Sequence, residues 1–335
     1  MSAAGLLAEQ RSFSGLRALR PQRDLAQVAD LVETCFATSL DSSGHAAVRE
    51  MRMMGRSGPL LWSLGRLMRA IPAMHGFVWL EQGQIVGNVS IAPAGFGRGW
   101  VIANVAVYPQ FRRRGIARRM MLAALDWVAR HGPFALLQVE ADNEGAQQLY
   151  RQLGFVDQRT FTRWRRAAHY RAPEVADDAP LLQRLKPGDA SRLFALGERL
   201  RPNTRGGMGW LRPTYRAALR PDRWGGLRYW LSGQFDDFWV VTGAGEELSA
   251  ALCSRTRLGG LTVSFDLLVH PDCQGTLETA LVAESVRRLA GRRQPLLTEH
   301  PADDAVMVDA LHAHHFRPER TLVHMLWTPE SESER

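Results

Sequence analysis

One stretch, Val101 to Phe155, constrains the fold of this 335-residue chain more than all the rest. It opens with an apolar run, Val101 to Val107, whose length and β-branched content suit a buried strand, and then turns at Tyr108-Pro109. Arg112-Arg113-Arg114-Gly115-Ile116-Ala117 follows, and after it a helical pattern with Ile116, Met120, Met121, Leu125 and Val128 on one side and Arg119, Asp126 and Arg130 on the other. A glycine and an alanine at a helix mouth leave little side-chain bulk over the first turn. Amides that have no acceptor within the helix can then face an anion, which is how a pyrophosphate is held.

The chain continues with a strand over Phe134 to Val139, then Asn143, a helix over Glu144 to Leu153 carrying Leu149-Tyr150, and the close Leu153-Gly154-Phe155. A strand over Phe161 to Trp164 follows. A short glycine motif alone recurs by chance, whereas two blocks in fixed order about thirty residues apart form a specific signal. Together they resemble the acetyl-CoA-dependent N-acetyltransferase superfamily, GNAT. In that family an Arg/Gln-x-x-Gly-x-Gly/Ala turn holds the CoA pyrophosphate, and Arg112, Gly115 and Ala117 match it. The family's later block matches Asn143, Leu149, Tyr150, Leu153, Gly154 and Phe155.

The resemblance implies a cofactor site and a chemistry. The backbone of Val105, Ala106 and Val107 would pair with the pantetheine arm of acetyl-CoA like an added strand, with an N–H there polarising the thioester carbonyl. The main chain of Arg112, Arg113, Arg114, Gly115, Ile116 and Ala117 would carry the pyrophosphate, and Arg113, Arg114 and Arg118 would reach the remaining phosphate. Tyr150 matches the acid that protonates the departing CoA sulfur in many members; its plain alternative is an aromatic packed on a helix face. Asn143 would orient pantetheine or Tyr150, or simply cap the helix that follows. The general base is where the chain departs from the family pattern. Members that resemble ribosomal-protein acetyltransferases commonly carry a Glu at the position of Gln138, which accepts no proton at neutral pH. Glu140, two residues on and on the same strand face, is the leading substitute, with a surface carboxylate as the alternative. His75 and Glu33 rank behind it.

Magnitudes bear on the acceptor. Neutralising a lysine-type amine at pH 7 costs about 4.6 kcal/mol, against about 1.4 kcal/mol for an α-amine with a pKa near 8. A site without an obvious base suits the second, a primary amine on a small molecule or a peptide terminus. An acetyltransferase acting on an amino-sugar conjugate, like mycothiol synthase, and a non-catalytic CoA-binding regulator are the competing readings.

Upstream, Leu16 to Pro21 reads as a strand, and Asp24 as the N-cap of a helix burying Leu25, Val28, Leu31, Val32, Cys35 and Phe36. A Met- and Arg-rich helical stretch is expected over His45 to Ala70, interrupted from Gly55 to Pro59. Strands are expected over Gly76 to Glu81 and Gln84 to Ala92. This is an α/β (α+β) pattern, a twisted mixed sheet flanked by helices. Residues 172–180 have a linker composition and separate a catalytic domain, 1–171, from a second domain, 181–328; 329–335 reads as a flexible tail.

The second half repeats the first. Leu19-Arg20-Pro21 recurs as Leu185-Lys186-Pro187, Val107-Tyr108-Pro109 as Val269-His270-Pro271, and Phe155 as Phe316. At nearly the same offset Arg112, Gly115 and Ala117 become Gln274, Leu277 and Thr279, while Tyr150 and Gly154 become Leu311 and His315. Two tandem domains of the family fold are expected, the second a degenerate copy without a CoA site. Its role is either to wall the acceptor groove or to mediate self-association as a homodimer.

Composition narrows the rest. With 45% apolar and 23% charged residues the chain has globular character and length for two cores. No run of eighteen apolar residues and no convincing signal peptide are found, so a cytoplasmic protein without a membrane span is expected. Cys35, Cys253 and Cys273 lack metal-ligand or disulfide spacing, and the adjacent His312, His314 and His315 lack a second ligand cluster, so no metal is expected. The net charge of +8 comes from arginine, Lys186 being the only lysine. No DNA-binding motif accompanies it, which leaves acetyl-CoA and an amine as expected partners and no nucleic acid. Trp210, Trp224, Trp230 and Trp239 read as core or interface packing.

Overall fold

The computed structural model describes residues 13–37, 42–56, 74–94, 98–174, 182–200, 234–243, 247–292 and 294–329. Contacts divide the chain into two compact units, one of Met1–Leu137, Gln148–Phe155 and Leu326–Arg335, the other of Gln138–Gln147 and Val156–Met325. The division is not a single cut in the sequence. Most of 172–180, residues 57–73, and Trp210, Trp224 and Trp230 lie outside the described residues.

The first unit contains β1 (Gly15–Ala18), α1 (Pro21–Cys35), α2 (Ser42–Arg56), β2 (His75–Glu81), β3 (Gln84–Pro93), β4 (Trp100–Val107) and α3 (Ile116–His131). The division falls within β5 (Ala135–Glu140) and again within α4 (Glu144–Gln152). The strand order is β1-β2-β3-β4-β5, antiparallel except where β5 runs parallel to β4. Side chains alternate along β2, so Val78 and Leu80 face one side with Ile85 and Ala106, under Leu25, Val28, Leu31 and Val32 of α1 and Val48 and Met51 of α2. Leu25, Val28 and Leu31 are fully buried, each contributing about 1.5–3 kcal/mol of apolar transfer. Trp79 points to the opposite side, where Arg119 of α3 lies over its ring at 5.4 Å. Gly87 lets α3 approach there, since an added Cβ would stand 2.9 Å from Met120 Cε.

One sequence expectation needs correction. α1 begins at Pro21, whose missing N–H suits a first helical position, so Asp24 lies inside the first turn and is not the cap. Its buried carboxylate accepts from the Arg20 amide at 2.6 Å and pairs with Arg17 at 2.7 Å.

The second unit contains β6 (Val156–Arg166), β7 (Gln183–Arg184), α5 (Ala190–Leu200), β8 (Gln234–Thr242), β9 (Leu248–Arg257), β10 (Val263–Val269), α6 (Glu278–Leu289), β11 (Leu296–Pro301), α7 (Ala305–Ala313) and β12 (Arg317–Trp327). Here β12 lies between the end of β5 and β6, and the order continues β11-β10-β9-β8-β7. Ala141 N–H donates to the Thr321 carbonyl at 2.9 Å, and the Thr162 and Thr321 hydroxyls meet at 3.0 Å. α6 and α7 cover Leu252, Phe265 and Leu267; α5 covers Val240, Ala251 and Leu268.

Among the described residues the two halves follow the same element order, except that α2 has no described counterpart. A 3-10 turn precedes α3 in the first half, Pro109–Phe111, and α6 in the second, Pro271–Cys273. Each later helix closes through a left-handed residue, Gly154 (φ 88°) or His315 (φ 65°), with Phe155 N–H donating to Tyr150 O at 3.1 Å and Phe316 N–H to Leu311 O at 3.0 Å. His312 meets Trp164 edge-on and His315 stacks on Tyr170. Among the described residues no helix is long and apolar enough to cross a membrane.

Candidate active site

β4 leads into the turn that carries the anion motif. Its pairing with β3 slips, Asn88 facing Ala106 but Ser90 facing Ala103, so β4 carries one extra residue in a bulge. Asn104 takes a left-handed φ of 51° there, and buried Asn88 holds its carbonyl through Nδ2 at 2.9 Å. On the other edge, among the described residues, β5 pairs with β4 only at Trp100–Ala135 and Val101–Leu136. Val105, Ala106 and Val107 therefore have no β5 partner. The Val107 carbonyl instead receives Arg112 Nε at 3.0 Å and the Cys35 thiol at 3.4 Å. Burial pushes the Cys35 pKa up, against an opposing pull from Arg112, which keeps the thiol a donor.

The turn itself has two left-handed residues with one between, Arg113 (φ 64°) and Gly115 (φ 74°). Such alternation gathers successive amides on one side, the concave form that binds anions. Among the described residues the amides of Arg113 through Arg118 make no hydrogen bond, and no side chain caps α3. A Cβ built on Gly115 would meet nothing within 4 Å, so the space over the helix mouth is open. Arg114 donates to Gln110 O at 3.2 Å and lies over Phe111, while Arg113 and Arg118 have no partner among the described residues. Cations at a helix N-terminus oppose its dipole, and an anion bound there would relieve that conflict.

Tyr150 is 6% exposed, 6.0 Å from the Phe155 ring. Burial pushes its phenol up to about 12. The phenol therefore keeps its proton at neutral pH and is available as a hydrogen-bond donor. Asn143 caps α4, its Oδ1 accepting from Ala146 N–H at 3.1 Å.

Gln138 Nε2 lies 2.7 Å from Nε2 of His324, a fully buried ring stacked on Phe161 at 4.5 Å. Glu140 Oε1 lies 2.6 Å from Arg320 Nε, off the hydrogen-bonding direction. Glu33 pairs with Arg52 at 2.6 Å, and Arg52 also holds Asp30 at 2.7 Å. His75 stacks against Trp127 at 4.6 Å. Tyr108, hydrogen-bonded with Thr34, is pushed up first by burial and then by the charge of Asp30. His324 and Arg320 carried no signal near Gln138 or Glu140 in the sequence, being contributed by β12.

The matching turn in the second unit is closed from within. Gly275 (φ 84°) precedes α6, and its amide donates to both carboxylate oxygens of buried Glu278, at 3.0 and 2.9 Å. An internal anion thus stands where the first unit leaves its amides unbonded. Glu278→Ala removes the acceptor of that amide, which lies on an exposed residue, and is expected to lower stability by about 0.5–1.5 kcal/mol, read as a lower urea midpoint, without creating a CoA site, because Leu277 and Thr279 keep their bulk at the mouth.

Comparison with known proteins agrees with this geometry. Residues 45–155 match the model of the acetyltransferase (GNAT) family, whose general activity is acyl transfer. No curated protein sequence matches the chain. Among solved structures, a tandem GNAT protein from the clavulanic acid biosynthesis pathway is 17% identical with a TM-score of 0.59, covering 94% of this chain and 100% of that one. A GCN5-related N-acetyltransferase from Sphaerobacter thermophilus is 16% identical with a TM-score of 0.62, covering 93% and 95%. A glucosamine N-acetyltransferase region of a fungal multi-domain GH3 β-N-acetylglucosaminidase is 15% identical with a TM-score of 0.61, covering 94% of this chain and 38% of that one. Residues 45–155 therefore carry the acetyltransferase (GNAT) family match, and the chain as a whole has the fold of tandem GNAT proteins.

Proposed function

We propose that the chain is an acetyl-CoA-dependent N-acetyltransferase that moves the acetyl group directly to a primary amine of a small molecule or peptide terminus, with residues 1–171 as the catalytic domain and 181–328 as a degenerate copy. The observation that carries this reading is the run of unbonded amides from Arg113 to Arg118, with open space over Gly115, directly after a strand edge that β5 leaves unpaired. Acetyl-CoA supplies the activated acyl group. Val105, Ala106 and Val107 offer main-chain partners to its pantetheine amides, the turn receives the diphosphate, and Arg113 and Arg118 neutralise remaining phosphate charge. Tyr150 donates a hydrogen bond to the departing sulfur. Asn143 fixes the start of α4 and so the position of Tyr150 along it.

The amine side is set by what the carboxylates already do. Arg320 matches the charge of Glu140, which favours an acceptor that reaches the site neutral over one deprotonated there. Asp30 and Glu33 both pair with Arg52, so α1 likewise presents no unpaired carboxylate at these positions to act as a base.

A thiol-release assay with acetyl-CoA and a panel of lysine side-chain analogues, α-amines and glucosamine tests the reading. Turnover with α-amines or glucosamine supports it; turnover confined to lysine side chains overturns the acceptor class, and none with any amine overturns the enzyme. The pH profile is a second check. kcat/KM is expected to rise with the neutral fraction of the amine and level off near its own pKa, about 8 for an α-amine. Tyr150, held at about 12, adds no falling limb below pH 10. A rising limb at one fixed pH below 7 for every acceptor would instead reveal an enzymic base.

A further inference from the structure

The second unit holds a cavity that acyl transfer does not use. Arg192, Leu196 and Arg199 of α5 line it, together with Glu247, Leu248 at the start of β9, and His270 just after β10; its volume is about 300 Å³. In the repeat this is the place of Asp30, Glu33 and Tyr108 in the first unit. α5 answers α1, and His270 N–H donates to Ser249 O at 2.8 Å as Tyr108 N–H donates to Val86 O at 3.0 Å. With Pro21 set on Pro187, Glu33 falls at Arg199 and Asp30 at Leu196, so one acid of the helix wall is replaced by an arginine and the other by an apolar residue.

The charges do not all need a ligand. Arg192 is paired with Asp189 at 3.0 Å. Glu247 stands at the rim with Oε2 3.4 Å from His270 Nε2. Arg199 Nη1 meets that same ring nitrogen at 2.9 Å, and among the described residues no carboxylate pairs with Arg199. Arg199, an exposed residue near the end of α5, thus lines the cavity with apolar Leu196 and Leu248 and has no carboxylate partner among the described residues.

We infer that this cavity binds a small monocarboxylate with an apolar tail, its carboxylate on Arg199 and its tail against Leu196 and Leu248. A guanidinium fork fits a carboxylate in two-pronged fashion, and a single unmatched cation favours a single negative charge. Glu247 at the rim repels a more highly charged phosphate. The size is at the small end for ligand pockets. Since Glu278 fills the nearby helix mouth, the carboxylate is bound without being acylated.

Calorimetric titration of the full chain with butanoate, benzoate and inorganic phosphate tests this. Saturable binding of butanoate or benzoate is expected, weakened at least about tenfold by Arg199→Met, roughly the loss of one charge-assisted hydrogen bond, with phosphate much weaker. An unchanged urea midpoint for Arg199→Met, which keeps an apolar stem, shows that the second domain is folded in the variant; Arg199→Lys, keeping the charge, should retain part of the carboxylate affinity. Absence of saturable carboxylate binding, indifference to Arg199→Met, or tighter binding of phosphate overturns the assignment.

Discussion

Gly115→Gln is expected to lower acetyl-CoA affinity by at least about 100-fold while leaving the free protein folded. At φ 74° any other L residue carries a left-handed backbone cost of about 1–2 kcal/mol, but the new Cβ meets nothing within 4 Å. The large penalty arises only when a diphosphate enters that space. Charge-assisted hydrogen bonds contribute about 1.5–3 kcal/mol each, and displacing the ligand from two amides forfeits about 3–6 kcal/mol, or more than two powers of ten. Calorimetry and urea unfolding on the same variant separate the two effects. Affinity within about threefold of the parent, a difference below about 0.7 kcal/mol, places the diphosphate elsewhere.

Tyr150→Phe is expected to cut kcat by about 100- to 1000-fold, the loss expected on removing one hydrogen-bond donor to charge that develops in the transition state, with acetyl-CoA affinity nearly unchanged. The substitution removes only the hydroxyl and keeps the ring in its buried place beside Phe155, so stability should hardly fall. Because the phenol is held at about 12, the lost contribution is donation to a sulfur gaining negative charge, which matters at the transition state and little in the ground state. An acceptor-independent loss in kcat with constant KM for acetyl-CoA identifies that role. Equal losses in affinity and turnover would mark Tyr150 as packing alone.

The residues that shape the turn between β4 and α3 are legible because their requirements are local. A left-handed position at a helix mouth demands glycine, and the strand before and apolar stripe after it are set by spacing within a few residues. Pro21 likewise announced the start of α1, and reading Asp24 as the cap overlooked it. The closed second turn also had a local signal. Glu278 lies three residues beyond Gly275, the spacing at which a glutamate reaches back to an amide in a capping box.

What local pattern cannot show is partner choice between distant strands. β12 takes the place beside β5, bringing His324 to Gln138 and Arg320 to Glu140 across more than half of the chain. Its alternation suits a half-buried strand anywhere in a sheet. The substitution of Gln138 for the expected acid could be seen in the sequence, but the imidazole that meets it could not.

Calorimetric titration of the intact chain with acetyl-CoA bears most directly on the division of labour between an open and a closed helix mouth. One molecule bound per chain, with the heat abolished by Gly115→Gln and preserved in Glu278→Ala, is the expected outcome. Two molecules per chain, no heat at all, or a signal that survives Gly115→Gln would contradict it.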